Sequence, residues 1–390
     1  MIQPSERMTT LSSSIFAEMA EKKQAKLSAG EDIIDLSIGS PDLPPPTSVR
    51  DIMAESVKKE DQYGYALQGN AEFQRAVTHY YKERFHINIH TEEVLQLMGS
   101  QDGLAHLALA YADPGDYIIA PDPSYPIYTA CASLSGASLY KLPVNEENQF
   151  MPDFDHIPID IAKKAKLLIM NYPGNPTAAV ATKEYFQKAV AFALEHNILI
   201  VHDFAYAELI FCDDKPLSIF HIEDAKKTAV ECNSLSKSFN MAGARIGYVI
   251  GFPSYLKPLA DLKSNIDYGV FHPVQKAASY ALTNELSFLE EHRQTYKRRC
   301  DIFVEKLRSF DWHVRMPDGG MFVWAKVPTP FTSLSFALEA LEYGVVVTPG
   351  NAFGDGGEGY VRIALVQDEI TLLEAAERLS RCITYSPDIH

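Results

Sequence analysis

Short apolar runs alternate along this chain with longer amphipathic stretches, the pattern of a mostly parallel sheet covered by helices. The pattern predicts strands over 93–98, 117–120, 166–170, 198–203, 228–233 and 246–251, several ending on polar residues. Helices are predicted over 101–112, closed by the turn Asp113-Pro114-Gly115-Asp116, and over 183–196.

Outside this region the pattern changes. A helix over 14–29 stops at Gly30 and is followed by the apolar run 33–38. Gly39-Ser40-Pro41-Asp42-Leu43-Pro44-Pro45-Pro46 then forms a stiff, kinked connector. Late in the chain, 277–310 reads as one long helix bridging two domains, and strands are predicted over 312–316, 321–327, 345–348 and 359–364. The expected fold class is α/β: a large domain over 45–284, and a smaller α+β domain formed by 285–390 with segment 1–44 joined to it. No internal repeat or low-complexity tract interrupts this.

At 390 residues the chain is long enough for two domains, and 46% hydrophobic with 22% charged residues excludes disorder. A net charge of −16 argues against nucleic acid and anionic membranes as partners. Any anionic ligand must therefore meet a local cluster of cations. Five scattered cysteines without a C-x-x-C suggest neither a disulfide framework nor a zinc site, and no metal is expected. The first residues have no apolar signal core and no stretch is long enough to span a bilayer, so a cytoplasmic location is expected.

Such a cluster sits around Ser234-Leu235-Ser236-Lys237-Ser238, with Arg245 eight residues after the lysine. Alone, a lysine is a solvated surface charge. Here hydroxyls, small residues and an arginine fork are what a phosphate monoester needs, and a neighbouring amine could condense with a carbonyl. Ser234-x-x-Lys237 also matches the S-x-x-K of penicillin-binding proteins, but the later K-T-G of that family is missing. Upstream, Asp203 ends an apolar run, where open α/β sheets place ligands; by itself it could equally cap a turn. Asn171-Tyr172-Pro173-Gly174-Asn175-Pro176-Thr177 follows another strand and, in isolation, is a turn.

Taken in order, N-P-T, D-x-x-Y and S-x-S-K with its arginine resemble the fold type I pyridoxal-phosphate enzymes, specifically the class I/II aminotransferases, over essentially the whole chain. Gly39-Ser40-Pro41-Asp42, Gly99-Ser100-Gln101, Pro123-Ser124-Tyr125-Pro126, and Pro349-Gly350-Asn351-Ala352-Phe353-Gly354 followed by Gly359-Tyr360-Val361-Arg362 extend the likeness. The branch is similar to the aspartate, methionine, aromatic and LL-diaminopimelate aminotransferases.

The resemblance implies pyridoxal 5'-phosphate as cofactor and a ping-pong transfer of an amino group from an L-amino acid to a 2-oxo acid through a Lys237 Schiff base, with Lys237 also shuttling the Cα proton. It implies that Asp203 pairs with the pyridine nitrogen, that Asn175 and Tyr206 bond the ring oxygen, and that Tyr125 stacks on the ring. Ser234, Ser236, Arg245 and the backbone N–H groups of Ser100 and Gln101 would hold the phosphate. Arg362 would clamp the substrate carboxylate, with Gly39 and Asn175 beside it. A homodimer with shared active sites follows, Tyr65 reaching the partner's phosphate and Tyr63 being the alternative.

Two positions depart from the family pattern: Ala178 replaces the glycine of N-P-T-G and Phe204 replaces the acid of D-E. The rival within the fold is a C–S β-lyase on cystathionine or cysteine conjugates, which reuses the same lysine, aspartate and phosphate site. The late G-Y-V-R favours transamination. A catalytically silent, transcription-factor-like protein lacks support because no basic DNA-binding segment is present.

Overall fold

The computed structural model describes residues 2–5, 7, 8, 11, 14–66, 69–212 and 216–384. Its strands are β1 (Ile34–Asp35), β2 (Val94–Leu97), β3 (Tyr117–Asp122), β4 (Ser138–Pro143), β5 (Ala165–Asn171), β6 (Leu199–Asp203), β7 (Ala229–Ser234), β8 (Gly247–Gly251), β9 (Phe322–Lys326), β10 (Val345–Val346), β11 (Thr348–Pro349) and β12 (Tyr360–Ala364). Seven of them form one sheet in the order β2-β8-β7-β6-β5-β3-β4. Only β8 runs against its neighbours, so the sheet is mostly parallel.

The central strands are buried on both faces, which is why β5 and β6 read as nearly continuous apolar runs; β7 is buried throughout as well, although Glu231, Asn233 and Ser234 interrupt its apolar sequence. Helices Ser100–Tyr111, Ile127–Ser135 and Pro253–Ile266 pack on one face, closing a core of Leu104, Leu107, Tyr128, Val201 and Val249. Lys183–His196 covers the other, started by the Thr182 hydroxyl accepting from Tyr185 N–H and ended by Asn197 in the left-handed region. Neighbouring parallel strands end level: Asn171 lies beside Asp203, and Asp203 beside Cys232, two residues before Ser234. The polar residues that close each apolar run therefore emerge along one edge.

A second apolar core joins Met19, Ile34 and Leu36 to residues from Tyr296 through Cys382. Here β1 pairs with β10, and β9 and β11 flank β12. Three sequence expectations fail in this part. The predicted helix over 277–310 is two helices, His272–Asn284 and Leu286–Arg308; Glu285 leaves helical dihedrals and its carboxylate accepts from the Ser48 hydroxyl. The predicted strand over 312–316 has no ladder, because the Arg308 guanidinium takes the Val314 carbonyl and the Trp312 indole reaches across to Lys326 O. The run 345–348 splits at Val347, since the chain changes partner from β1 to β12. The edge strand β4 escaped the pattern: its half-exposed sequence lacks both alternation and a continuous apolar run.

Candidate active site

A cavity of about 450 Å3 opens at the carboxyl edge of the sheet, where the second core closes over it. Gly39, Ser100, Gln101, Tyr125, Asn175, Asp203, Tyr206, Ser234, Ser236, Lys237, Arg245 and Arg362 all line it. Of the expected site residues, Tyr65 lies elsewhere: it is 81% exposed, its ring tilted against that of Tyr268 with centroids 4.9 Å apart. Tyr63 is also outside, its hydroxyl donating to Val57 O at 2.8 Å.

Lys237 lies in the short helix Leu235–Ser238, which begins at the Ser234 side chain accepting from Ser236 N–H. Its ammonium donates to the Gly39 carbonyl. Burial lowers the lysine to about 8, helped by the like charges of Arg362 and Arg245 and opposed by Asp203. An amine so tuned is available as a nucleophile and base near neutral pH.

Asp203 is buried, and that burial raises its carboxyl above the usual carboxylate range; hydrogen bonds from the Tyr128 hydroxyl, at 3.0 Å, and the Ala205 N–H pull it back. Among the described residues no cation forms an ion pair with it. Arg362 is likewise buried, and burial lowers it to about 10. It donates to Asn175 Oδ1 at 2.9 Å and Ser37 O at 2.6 Å, while its Nε has no partner. The rings of Phe322 and Phe353 flank it, 4.3 and 4.6 Å from the guanidinium carbon.

At the other end, Arg245 hydrogen-bonds among the described residues only to backbone carbonyls, those of Ala242 at 3.0 Å and Met98 at 3.5 Å. The helix Ser100–Tyr111 starts beside it and puts Ser100 and Gln101 of its first turn on the cavity wall, where helix N–H groups favour an anion. Gly99 makes this approach feasible: it lies at φ +83, and a Cβ there would stand 2.5 Å from Arg245 Nη2. The donor set therefore suits a flat anionic ligand: a phosphate at the Arg245 end, a cationic nitrogen over Asp203, and a carboxylate at Arg362. Pyridoxal phosphate with a bound amino acid has those three features.

Both departures from the family pattern resolve locally. Phe204 packs on His202 at 4.8 Å and on Phe85 at 5.7 Å, facing away from the cavity. Ala178 sits at φ +59, a left-handed residue where glycine would be free of strain.

Sequence reasoning missed Tyr128, whose helical neighbours gave no cue that its hydroxyl would cross to Asp203. It also missed Phe16, Met19, Ala20 and Lys23, which the N-terminal helix contributes to the cavity wall. Their spacing over two turns is a helical face, visible in sequence but without a sign of what it faces.

The sequence profile of aminotransferase class I and II matches residues 31–379. The LL-diaminopimelate aminotransferase of Aquifex aeolicus is 41% identical over 97% of this chain and 99% of its own length. That of Moorella thermoacetica is 40% identical over 98% and 99%. Among solved structures, substrate-bound BacF from Bacillus subtilis superposes with a TM-score of 0.94 at 35% identity, covering 98% of both chains. A variant of Thermus thermophilus aspartate aminotransferase superposes with a TM-score of 0.92 at 28% identity, covering 98% of this chain and 100% of its own. The Aquifex, Moorella and Thermus proteins are named aminotransferases, which does not favour the lyase alternative. With a profile match that spans both cores and the cavity between them, the chain belongs to the aminotransferase class I and II family, and pyridoxal phosphate is the cofactor this membership implies.

Proposed function

We propose that the cavity is the active site of a pyridoxal-phosphate-dependent transaminase in which Lys237, Asp203, Arg245 and Arg362 divide the work. The observation that carries this reading is the pair of cavity-lining guanidiniums, Arg245 and Arg362, neither with a carboxylate partner among the described residues, on either side of a lysine lowered to about 8. When bound, the cofactor supplies an aldehyde and an electron-withdrawing ring that accepts the charge left when the substrate Cα proton departs. Asp203 would pair with the ring nitrogen, and Tyr128 holds the Asp203 carboxylate in place. Asn175 and Tyr206, both on the cavity wall, would hydrogen-bond the ring oxygen, and Tyr125, its hydroxyl tied to Gln101 Oε1 at 3.1 Å, would supply a ring face.

Arg245, the Ser234 and Ser236 hydroxyls and the N–H groups of Ser100 and Gln101 bind the phosphate. The free Nε and fork of Arg362 take the substrate carboxylate, which fixes the direction of the Cα–H bond. Lys237 Nζ removes that proton and returns it, and the Gly39 carbonyl accepts a hydrogen bond from the amine. LL-Diaminopimelate, the substrate in the names of both relatives, is the donor we propose, its distal end directed to the wall that includes Lys23.

Residues 45–284 would carry the cofactor, with 1–44 and 285–390 moving together as a smaller domain; the shared apolar core of Met19, Leu36 and Phe303 supports this. A second copy would complete each site through Tyr65. Exposed aromatic pairs support that contact: Tyr65 with Tyr268, and Tyr63 with Phe271 at 5.4 Å. The test is spectroscopic. Purified protein should bind pyridoxal phosphate with a visible band that LL-diaminopimelate bleaches without an oxo acid present. A Lys237→Ala variant that keeps an unchanged band and turnover overturns the assignment.

A further inference from the structure

The cavity explains what Lys237 faces, but two contacts behind it lie on a different element. His292, Tyr296 and Arg299 share one face of the helix Leu286–Arg308, being four and three residues apart. His292 Nε2 stands 2.7 Å from the main-chain oxygen of Lys237. A carbonyl only accepts, so Nε2 carries the hydrogen. The ring is buried between Phe288 and Tyr296, and burial keeps it below the ordinary histidine value, hence neutral.

Two turns on, the Arg299 guanidinium grips both oxygens of Asp42 at 2.7 and 2.8 Å and the Leu365 carbonyl at 3.1 Å, at only 3% exposure. Asp42 lies three residues along the connector that begins at Gly39, whose carbonyl receives the Lys237 ammonium. Gly39 is in turn packed on Phe322: a Cβ would stand 2.5 Å from that ring, so the connector approaches the ring as only glycine can.

Accepting Lys237 as the reactive amine, we propose that this helix face holds the lysine at both ends: His292 through the lysine's own carbonyl, Arg299 through Asp42 and so the Gly39 carbonyl that receives Nζ. His292 and Arg299 are thus positioning residues, reaching the chemistry only through Lys237. A bidentate fork suits this task because it fixes Asp42 in direction as well as distance. The helix also belongs to the core shared by Leu36, Phe322 and Val346, so its placement is common to both walls of the cavity.

The clamp can be read without turnover. In cofactor-free protein, acetylation of Lys237 by acetic anhydride is followed against pH by peptide mass mapping, the surface lysines serving as internal standards. Arg299→Lys keeps a charge but not the fork. Losing the Gly39 acceptor, with Asp203, Arg245 and Arg362 unchanged around the amine, should move the Lys237 midpoint down by about half a pH unit. A midpoint that stays put or rises overturns the clamp, whatever Lys237 does in catalysis. In the holoenzyme, His292→Phe preserves the ring packing but removes the donor, and should lower kcat about tenfold with KM within about twofold. His292→Gln, whose amide can donate to the same carbonyl, should recover most of the loss. Equal kcat for His292→Phe and wild type, or no recovery with Gln, sinks the proposal. Failure of the lysine assignment itself would show separately, as a Lys237→Ala variant that still turns over.

Discussion

Replacing Lys237 by Met in the cofactor-free protein should stabilise the fold at neutral pH, although it removes the proposed reactive amine. Lys237 falls from the ordinary 10.5 to about 8 because its ammonium is desolvated and faces Arg362 and Arg245. At about 1.4 kcal/mol per unit that drop corresponds to about 3 kcal/mol. Water in the open cavity and the loss of the donor to the Gly39 carbonyl reduce the expected gain to about 2 kcal/mol. The sign follows from proton counting. Between pH 8 and 10.5 the unfolded chain holds the Lys237 proton and the folded one has released it, so this lysine's penalty is complete below 8 and fades towards 10.5. Urea unfolding of both proteins without cofactor should therefore give a higher midpoint for Lys237→Met at pH 7 and nearly equal midpoints at the upper end of that window. Equal stability at pH 7, or a gain that does not shrink as pH rises, would refute the argument that the cavity holds this amine at an electrostatic cost.

Further outcomes follow from the same geometry. Asp203→Asn keeps the shape but not the charge beneath the ring nitrogen and should lower kcat by about a thousandfold or more, whereas Tyr128→Phe, which removes one hydrogen bond to that carboxylate, should cost about tenfold. Arg362→Lys replaces a buried fork by a point charge; half-reaction kinetics should show the donor's apparent Kd rising about a hundredfold, while alanine-scale loss of cofactor affinity would contradict its placement. Gly99→Ala should weaken cofactor binding about tenfold or more in fluorescence titrations, because the added methyl needs both a left-handed backbone and the space of Arg245 Nη2.

The large sheet and its polar edge were legible in the sequence because β5, β6 and β7 are buried on both faces and each ends on the residue that enters the cavity, Asn171, Asp203 or Ser234. Where side chains take over backbone hydrogen bonds, legibility ended. Trp312 to Met316 looked like a strand by composition, yet Arg308 and Trp312 satisfy the carbonyls that a ladder would have used. Glu285 broke an otherwise good helical pattern through a contact with Ser48, hundreds of residues away in sequence. Tyr128 and the cavity face of the N-terminal helix were hidden for the same reason: helical periodicity says which residues share a side, and only packing says what that side meets.

In so acidic a chain charge alone does not separate the arginines proposed to bind ligands from those that hold the fold; burial with its partners does. Arg299 and Arg362 are both nearly inaccessible, at 3% and 6% exposure. Arg299 meets a carboxylate fork to fork and gives a further donor to Leu365 O, the arrangement that offsets the desolvation of a buried guanidinium. Arg362 has two neutral acceptors, two aromatic rings and an unpartnered Nε, and burial lowers it to about 10. A fold that pairs one buried arginine with aspartate and gives the other only neutral acceptors at the cavity wall leaves donors at Arg362 that suit an anion. If Arg362 holds the substrate, an added carboxylate should do for it what Asp42 does for Arg299. Small monocarboxylates such as acetate or propionate should then raise the thermal midpoint of the wild type, and lose that effect in Arg362→Met but not in Arg245→Met. Equal stabilisation of all three proteins would show that Arg362 is satisfied by Asn175 and Ser37 alone, and that its incomplete shell has no bearing on substrate.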